Sequence, residues 1–179
     1  MKINLLAFLF VTILLSSCTN KNPNVDESGK NQLKSLELDH QMNRNEMAYQ
    51  DLIYVPIYSD IYVDAENQNC MLAATVSIRN TSYQDSLFIS KIDYFNTAGE
   101  LVRRYLDNPI SLPPMATINY VVERDDDTGG HGANFIVALS SRNITVRPVI
   151  QAIMIGHCSI KSVSFSTDGY SIKDNQAIR

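Results

Sequence analysis

Residues 71–79, Met-Leu-Ala-Ala-Thr-Val-Ser-Ile-Arg, decide the fold class of this chain. Apolar side chains alternate there with small or polar ones, and a period of two is typical of a β-strand with one buried face. The stretch therefore predicts a strand that gives one face to a core. The side chains predicted to face that core are those of Leu72, Ala74, Val76 and Ile78.

Similar alternation recurs along the rest of the chain from about residue 49. Pro56 removes a hydrogen-bond donor, so the first of these segments is expected to be an edge strand or a bent pair. Asn96-Thr97-Ala98-Gly99 is typical of a hairpin turn. About eight short strands with few helical stretches predict an all-β fold, an antiparallel β-sandwich. The further predicted strands are Leu52–Val63, Ser86–Phe95, Glu100–Leu106, Thr117–Glu123, Ala133–Ser140, Val149–Ile155 and Ser162–Thr167.

The composition excludes several classes of protein. The 179 residues include 15 Lys and Arg against 19 Asp and Glu, which gives a net charge of −4. Nucleic-acid binders normally carry a basic face, so no nucleic-acid partner is expected. With 45% hydrophobic and 19% charged residues, wholesale disorder is not expected either.

The N-terminus has the pattern of a bacterial export signal. Lys2 precedes an apolar run of 11 residues, Leu5–Leu15, whereas a membrane-spanning helix needs about 20. The following Ser16-Ser17-Cys18 resembles the bacterial lipobox. The resemblance implies that residues 1–17 are a lipoprotein signal peptide and that Cys18 carries the lipid. The alternative is an ordinary secretory signal in which Cys18 is incidental.

The lipobox resemblance sets the expected location and the domain boundaries. Acyl chains on Cys18 would attach the protein to a membrane of the bacterial cell envelope. Thr19, in place of Asp, favours the outer membrane. Residues 18–48 are polar and are expected to form a lipid-anchored flexible tether, although Leu33, Leu36 and Met47 leave a short amphipathic helix open. Residues 49–179 are predicted to be the β-sandwich domain.

Two further cysteines, Cys70 and Cys158, form a candidate disulfide. Disulfides persist in the compartment to which an exported chain is delivered. Cys70 opens one predicted strand and Cys158 follows another, so a bond between the strands is geometrically feasible. The alternative is a pair of unbonded thiols.

An acidic, glycine-rich segment, Glu123–Gly132, is the most unusual stretch of the chain. Three interpretations of this segment are open: a loop that contacts a partner, a calcium site built from adjacent carboxylates, and a solvated loop in which glycine supplies positive φ. The alternating spacing of an EF-hand is absent, and His131, His157 and Cys158 lack the spacing of zinc ligands. No metal or cofactor is therefore expected. The candidate partner-loop residues are Asp125, Asp126, Asp127, His131 and Asn134.

Three tyrosines, Tyr54, Tyr58 and Tyr62, lie on the face of Leu52–Val63 opposite its aliphatic residues. Such a strip of aromatic side chains binds sugars, peptides or partner proteins in other systems. Packing of the same rings within the sandwich explains the pattern equally well.

A set of short motifs resembles a bacterial family of proteins of unknown function, number three-one-two-four. The resemblance spans about Leu52 to Thr167 and implies an envelope-associated domain without assigned catalytic residues. A wider similarity, from Val76 to Pro114, to immunoglobulin-like sandwiches of envelope proteins implies that the sandwich is immunoglobulin-like. The motifs are Tyr54-Val55-Pro56-Ile57-Tyr58-Ser59, Ser77-Ile78-Arg79-Asn80-Thr81, Arg103-Arg104-Tyr105-Leu106, Gly132-Ala133-Asn134-Phe135 and Met154-Ile155-Gly156.

These observations predict a lipid-anchored envelope protein that acts as a non-enzymatic binding or assembly module. Its expected partner is an envelope protein or a glycan. Two alternatives stay open: a hydrolase acting on envelope glycans or peptides, and a carrier of calcium or a small ligand. Clustered ionisable groups in a deep pocket would favour the hydrolase.

Overall fold

The computed structural model describes residues 34–38, 42–62, 69–158 and 161–173. Residues 1–33, which include the predicted signal peptide and Cys18, lie outside the described residues, and so does Val63. Contacts between Cα atoms divide the chain into two units, Met1–Ser35 and Leu36–Arg179, and every described strand belongs to the second. No helix among the described residues is long and apolar enough to cross a membrane.

The described part of the chain forms one 3-10 turn, Arg44–Glu46, followed by eleven strands. The strands are β1 (Tyr49–Pro56), β2 (Asp60–Tyr62), β3 (Asn69–Arg79), β4 (Leu87–Phe95), β5 (Leu101–Arg104), β6 (Ile110–Leu112), β7 (Thr117–Val122), β8 (Asn134–Ser141), β9 (Val149–Cys158), β10 (Lys161–Asp168) and β11 (Tyr170–Ser171).

The strands form two antiparallel sheets that enclose the core. Sheet 1 has the order β11-β1-β8-β4-β5, and β6 also pairs with β4 beyond the end of β5. Sheet 2 has the order β10-β9-β3-β2, and β7 also pairs with β3. The predicted antiparallel β-sandwich is confirmed.

The core lies where the inward faces of the two sheets meet. The alternation predicted for residues 71–79 is confirmed, because Leu72, Ala74, Val76 and Ile78 on β3 are all 0% exposed. Burial of each large aliphatic side chain stabilises the fold by about 1.5–3 kcal/mol. The side chains that sheet 1 buries include Val55, Leu87, Ile89, Ile92, Tyr94, Phe135 and Val137.

The predicted segment Leu52–Val63 is divided between the two sheets. Pro56 is the last residue of β1, where its missing N–H group removes little pairing, and the chain crosses to sheet 2 before Asp60. The expected bent pair is therefore found. Strands β6 and β11, of three and two residues, are too short to show a period of two in the sequence.

The order of the outer strands differs from that of an immunoglobulin constant domain. Strands β3, β4, β7 and β8 have the neighbours expected of strands B, C, E and F. However, β1 lies beside β8, where the last immunoglobulin strand would lie, and β9 lies beside β3, where the first would lie. The central part of the sandwich is thus immunoglobulin-like and its outer strands are exchanged.

The sandwich has two distinct ends. The entry end carries the links 80–86, 113–116 and 142–148, and the distal end carries the links 57–59, 96–100 and 123–133. Leu36 joins sheet 1 on the half nearer the entry end, because Ser111 N–H donates to Leu36 C=O at 2.9 Å and Glu37 bridges to Ile110. Met47 is also buried, so residues 36–48, assigned to the tether from the sequence, belong to the compact unit.

Candidate functional site

The acidic link between β7 and β8, residues 123–133, is fastened to its neighbours by backbone hydrogen bonds. Thr97 N–H donates to Gly129 C=O at 2.9 Å, and Ile57 N–H donates to Ala133 C=O at 3.0 Å. Ser59 N–H also donates to Gly130 C=O at 3.3 Å. The link is therefore part of the packed distal end, held between the β1–β2 link and the β4–β5 turn.

The predicted hairpin turn at residues 96–99 is confirmed and also supports the acidic link. Gly99 N–H donates to Asn96 C=O at 2.9 Å, and Gly99 has the positive φ of 79° that such turns favour. The Thr97 hydroxyl donates to Gly129 C=O at 3.0 Å and accepts from Gly132 N–H at 2.9 Å. One threonine side chain thus holds both sides of the glycine-rich part of the link.

Gly129 is required where the link passes over the core. A Cβ atom at this residue would lie 1.9 Å from the Tyr94 hydroxyl oxygen and 2.8 Å from the Ser59 hydroxyl oxygen. Gly130 has a positive φ of 68°, which ordinary side chains rarely adopt. Gly129 thus brings the backbone of the link directly against Tyr94, and Gly130 turns it beside Thr97.

His131 connects this link to sheet 2. Its Nδ1 atom contacts the carboxylate of Asp60 on β2, and Asp60 is only 8% exposed. The imidazole also stacks on the ring of Tyr62, with 4.2 Å between ring centroids and 29° between planes. Tyr62 is 59% exposed, so the stack presents an aromatic surface to solvent at the distal end.

The remaining acidic side chains of the link have different environments. Asp125 and Asp127 are exposed, whereas Asp126 is half-buried, 3.8 Å from the guanidinium of Arg103. Asp126 also accepts a 3.1 Å hydrogen bond from Thr128 N–H. Asn134 opens β8 opposite Pro56 and is half-buried. The structure does not direct the three carboxylates toward one point.

Metal ligands do not cluster in the described part of the chain. Residues 34–38, 42–62, 69–158 and 161–173 contain no group of three or more His, Cys, Asp or Glu side chains that could hold a metal ion.

A row of aromatic side chains lies beneath the acidic link. The rings of Tyr94 and Phe135 stack at 5.1 Å, and Tyr105 contacts both Phe135 and Tyr120 at 5.6 and 5.0 Å. Phe135 and Tyr94 belong to sheet 1 and Tyr120 to sheet 2, so the row joins the two sheets. The Arg103 guanidinium lies 5.6 Å from the centroid of the Tyr105 ring.

Burial controls the ionisation of these tyrosines. It raises the pKa values of Tyr94, Tyr105 and Tyr120 above the ordinary value of 10.0, because the phenolate would lose its hydration. The 3.4 Å contact with the Ser59 hydroxyl lowers the pKa of Tyr94 in part. Arg103 acts in the same direction on the pKa of Tyr105. The hydroxyls of Tyr105 and Tyr120 have no hydrogen-bond partner among the described residues.

The three tyrosines singled out from the sequence do not share one sheet face. Tyr54 is half-buried on β1 in sheet 1. Tyr58, in the link that follows, packs edge-on against Phe165 at 5.8 Å, and Tyr62 belongs to sheet 2. The chain crosses between sheets within this segment, which separates the rings. Of the three, the structure brings Tyr62 alone to the candidate partner link.

The two candidate disulfide cysteines meet at the distal end. Cys70 and Cys158 are bonded, with Cα atoms 5.0 Å apart and 88 residues between them in sequence. Cys70, on β3, lies opposite Ile61 of β2, and Ile61 stands between Asp60 and Tyr62 in the sequence. The bond therefore joins the start of β3, the strand that pairs with β2, to the end of β9.

Two features of the distal end were not found from the sequence. The first is the burial of Asp60. It is an acidic residue between Ser59 and Ile61 in an otherwise apolar and aromatic run, and this interruption of the run was the signal that the sequence offered. The contact of Tyr105 with Tyr120 joins residues of different sheets, and a period of two carries no information about such contacts.

The fold and the site together define the class: an all-β domain, an antiparallel sandwich whose distal end carries a fastened acidic link beside an exposed tyrosine–histidine stack. The chain belongs to the family of proteins of unknown function DUF3124, which it matches over residues 50–172. The crystal structure of Thermotoga maritima 1070 is similar to it at a TM-score of 0.40, with 13% identity over 69% of this chain and 96% of that chain. No curated protein matches the chain.

Proposed function

We propose that the protein is a lipid-anchored component of the bacterial cell envelope whose sandwich is a non-enzymatic binding or assembly module. Its anchor is Cys18, its membrane is the outer membrane, and its partner is an envelope protein or glycan. The observation that carries the proposal is the separation between the entry of the chain and the Tyr62–His131 stack at the distal end.

The geometry of the second unit supports this arrangement. Leu36 lies 18 residues after Cys18 (36 − 18), a distance of at most about 60 Å for extended chain. The compact unit begins on the entry side of sheet 1, while the stack lies at the other end of strands of up to 11 residues. Chain of that length would let an anchored sandwich hold its distal end clear of the membrane.

The chemistry of the distal end fits binding. Tyr62 offers a ring that is 59% exposed and stacks on the His131 imidazole, which in turn contacts the Asp60 carboxylate. Tyrosine supplies a large contact area with few rotatable bonds, and an aromatic residue in a fixed orientation is a common anchor of binding interfaces. Asp125 and Asp127 add exposed negative charge beside it.

Metabolic labelling of full-length chain with a radioactive fatty acid tests the anchor. Cys18→Ala is expected to abolish labelling and to release the protein from membranes. The double variant Cys70→Ala/Cys158→Ala is the matched control and is expected to keep the label. Labelling of the Cys18→Ala chain at the wild-type level would overturn the lipid anchor.

In-cell crosslinking tests the binding end. A photoreactive amino acid at residue 62 is compared with one at residue 144, because Tyr62 and Ile144 are both 59% exposed and lie at opposite ends. Reproducible adducts with an envelope protein or glycan from residue 62 alone are expected. Adducts from residue 144 alone, or none from either residue, would overturn the assignment of the distal end.

A further inference from the structure

The outward faces of the two sheets are covered differently. The chain's own residues Met42 and Met47 lie over the outward face of sheet 1, where they border a cavity with Leu52 and Ala138. On the outward face of sheet 2, Val121, Ile153 and Ile155 are 52%, 45% and 56% exposed. Exposed aliphatic side chains on neighbouring strands are typical of a surface that binds another molecule.

A groove of about 380 Å³ crosses this outward face near the distal end. Ala73, Ile155 and Ser164 lie opposite one another on β3, β9 and β10 and form a continuous row along it. Gly156 borders the groove as well, and a Cβ there would lie 2.6 Å from both the buried Leu72 side chain and the Met71 carbonyl oxygen, so no larger residue fits at this position. The volume lies near the lower limit for ligand pockets, which suits a single-chain ligand.

Polar groups border the groove next to its apolar row. Ser162 and Ser164 supply hydroxyls, and the Ser162 hydroxyl lies 3.0 Å from Nδ1 of His157. Arg124 supplies a guanidinium, which is 57% exposed and, among the described residues, pairs with the 90% exposed carboxylate of Asp125 at 3.6 Å. Exposed ion pairs of this kind are weak, so Arg124 can exchange Asp125 for another anion.

The charge of the groove selects the ligand. Among the residues that the structure describes, its lining includes Arg124 and no acidic side chain, although the whole chain has a net charge of −4. A guanidinium recognises the two oxygens of a carboxylate, and the apolar row suits an alkyl chain. We propose that this groove binds a long-chain carboxylate, with its head at Arg124 and its alkyl chain along Ile155. The proposal stands independently of the distal-end binding function.

Photolabelling of the full chain in lipid nanodiscs tests the proposal. The probe is a twelve-carbon carboxylate with a diazirine on its alkyl chain, and the control probe is the amine of equal length. The carboxylate is expected to label residues 153–157, as mapped by mass spectrometry, and the amine is not. Equal labelling by the two probes, or no labelling of these residues, would overturn the proposal.

Matched variants distinguish the groove from other exposed sites. Arg124→Gln should lower labelling about tenfold through loss of a charge-assisted hydrogen bond, whereas Arg104→Gln on sheet 1 should not change it. Ile155→Ser should also lower labelling, whereas Ile144→Ser, at a residue that is 59% exposed at the entry end, should not. If the wild-type chain forms dimers that Ile155→Ser dissociates, as measured by mass photometry, the face is an interface between copies and the proposal is wrong.

Discussion

His131 contacts the carboxylate of Asp60 and so joins the acidic link of the sandwich to β2. The contact places an aspartate whose side chain is 12% exposed against an imidazole whose side chain is 35% exposed. Since the same imidazole stacks on Tyr62, the position of an exposed ring depends on a buried polar contact. The stability of the link and the orientation of Tyr62 are therefore expected to change together.

Removal of either partner of this contact should destabilise the fold. His131→Ala is expected to lower the free energy of unfolding by about 2 kcal/mol, because the Asp60 carboxylate then loses its imidazole partner in a buried position. Asp60→Asn/His131→Ala should be less destabilised than the sum of the single variants. Urea denaturation of the four proteins measures this coupling.

The control for the His131 experiment is an ion pair in a more exposed position. Lys91, whose side chain is 50% exposed, lies 3.7 Å from Asp93. Lys91→Ala should lower the free energy of unfolding by less than about 1 kcal/mol. Strict additivity of the Asp60 and His131 substitutions would contradict a direct interaction between the two residues.

Gly129→Ala should destabilise the protein by about 1–3 kcal/mol, because the new methyl group would overlap the Tyr94 hydroxyl. Adding Tyr94→Phe removes that oxygen and should restore part of the loss in thermal denaturation. Gly132→Ala is the matched control: its nearest neighbour, Thr97 Cγ2, would be 3.5 Å away, an ordinary contact. A Gly129→Ala protein that melts like the wild type would show that the link is not packed against Tyr94.

The disulfide should make a large contribution to stability. Closing a loop of 88 residues restricts the unfolded chain and stabilises the fold by about 4–5 kcal/mol in the chain-entropy model. Reduction, or the double substitution Cys70→Ser/Cys158→Ser, should lower the melting temperature accordingly. Thiol titration of the unfolded, unreduced protein provides the complementary measurement, and two free thiols from these residues would contradict the bond.

The sequence contained the period of two in β3 and the hairpin turn at residues 96–99, which the structure confirms, and the pattern of the family, which the match over residues 50–172 confirms. The sequence did not show that the segment 52–63 passes from one sheet to the other, because a local pattern of residues does not indicate where the chain changes sheets. Contacts between distant residues were equally hidden. The Asn80 amide, for example, donates to the carbonyl groups of Leu112 and Pro113, and nothing near residue 80 indicates this closure.

The same limit applies to the candidate site. The sequence singled out the acidic link, His131 and Tyr62, but it placed Tyr62 with Tyr54 and Tyr58. The structure places the Tyr62 ring on His131, which is 69 residues away in the sequence (131 − 62), and His131 against Asp60. The contact of Tyr62 with His131 is non-local, and the spacing of residues along one segment cannot encode it.

The buried tyrosines should make the fold sensitive to alkaline pH. Burial raises the pKa values of Tyr94, Tyr105 and Tyr120, so the folded protein holds these protons more tightly than the unfolded chain, whose tyrosines titrate near pH 10. Their contribution is fully present below about pH 10 and is lost as the pH rises further, at up to about 1.4 kcal/mol per pH unit for each group. Urea denaturation between pH 8 and 11 measures this fall.

Tyr120→Phe should make the alkaline fall in stability less steep. At pH 7 it should change the free energy of unfolding by less than about 1 kcal/mol, because the Tyr120 hydroxyl has no hydrogen-bond partner among the described residues. Tyr83→Phe is the control, since it removes a hydroxyl from a side chain that is 83% exposed. If the Tyr120→Phe and Tyr83→Phe proteins lose stability in parallel above pH 10, ionisation of the buried phenol is not the cause of the alkaline fall.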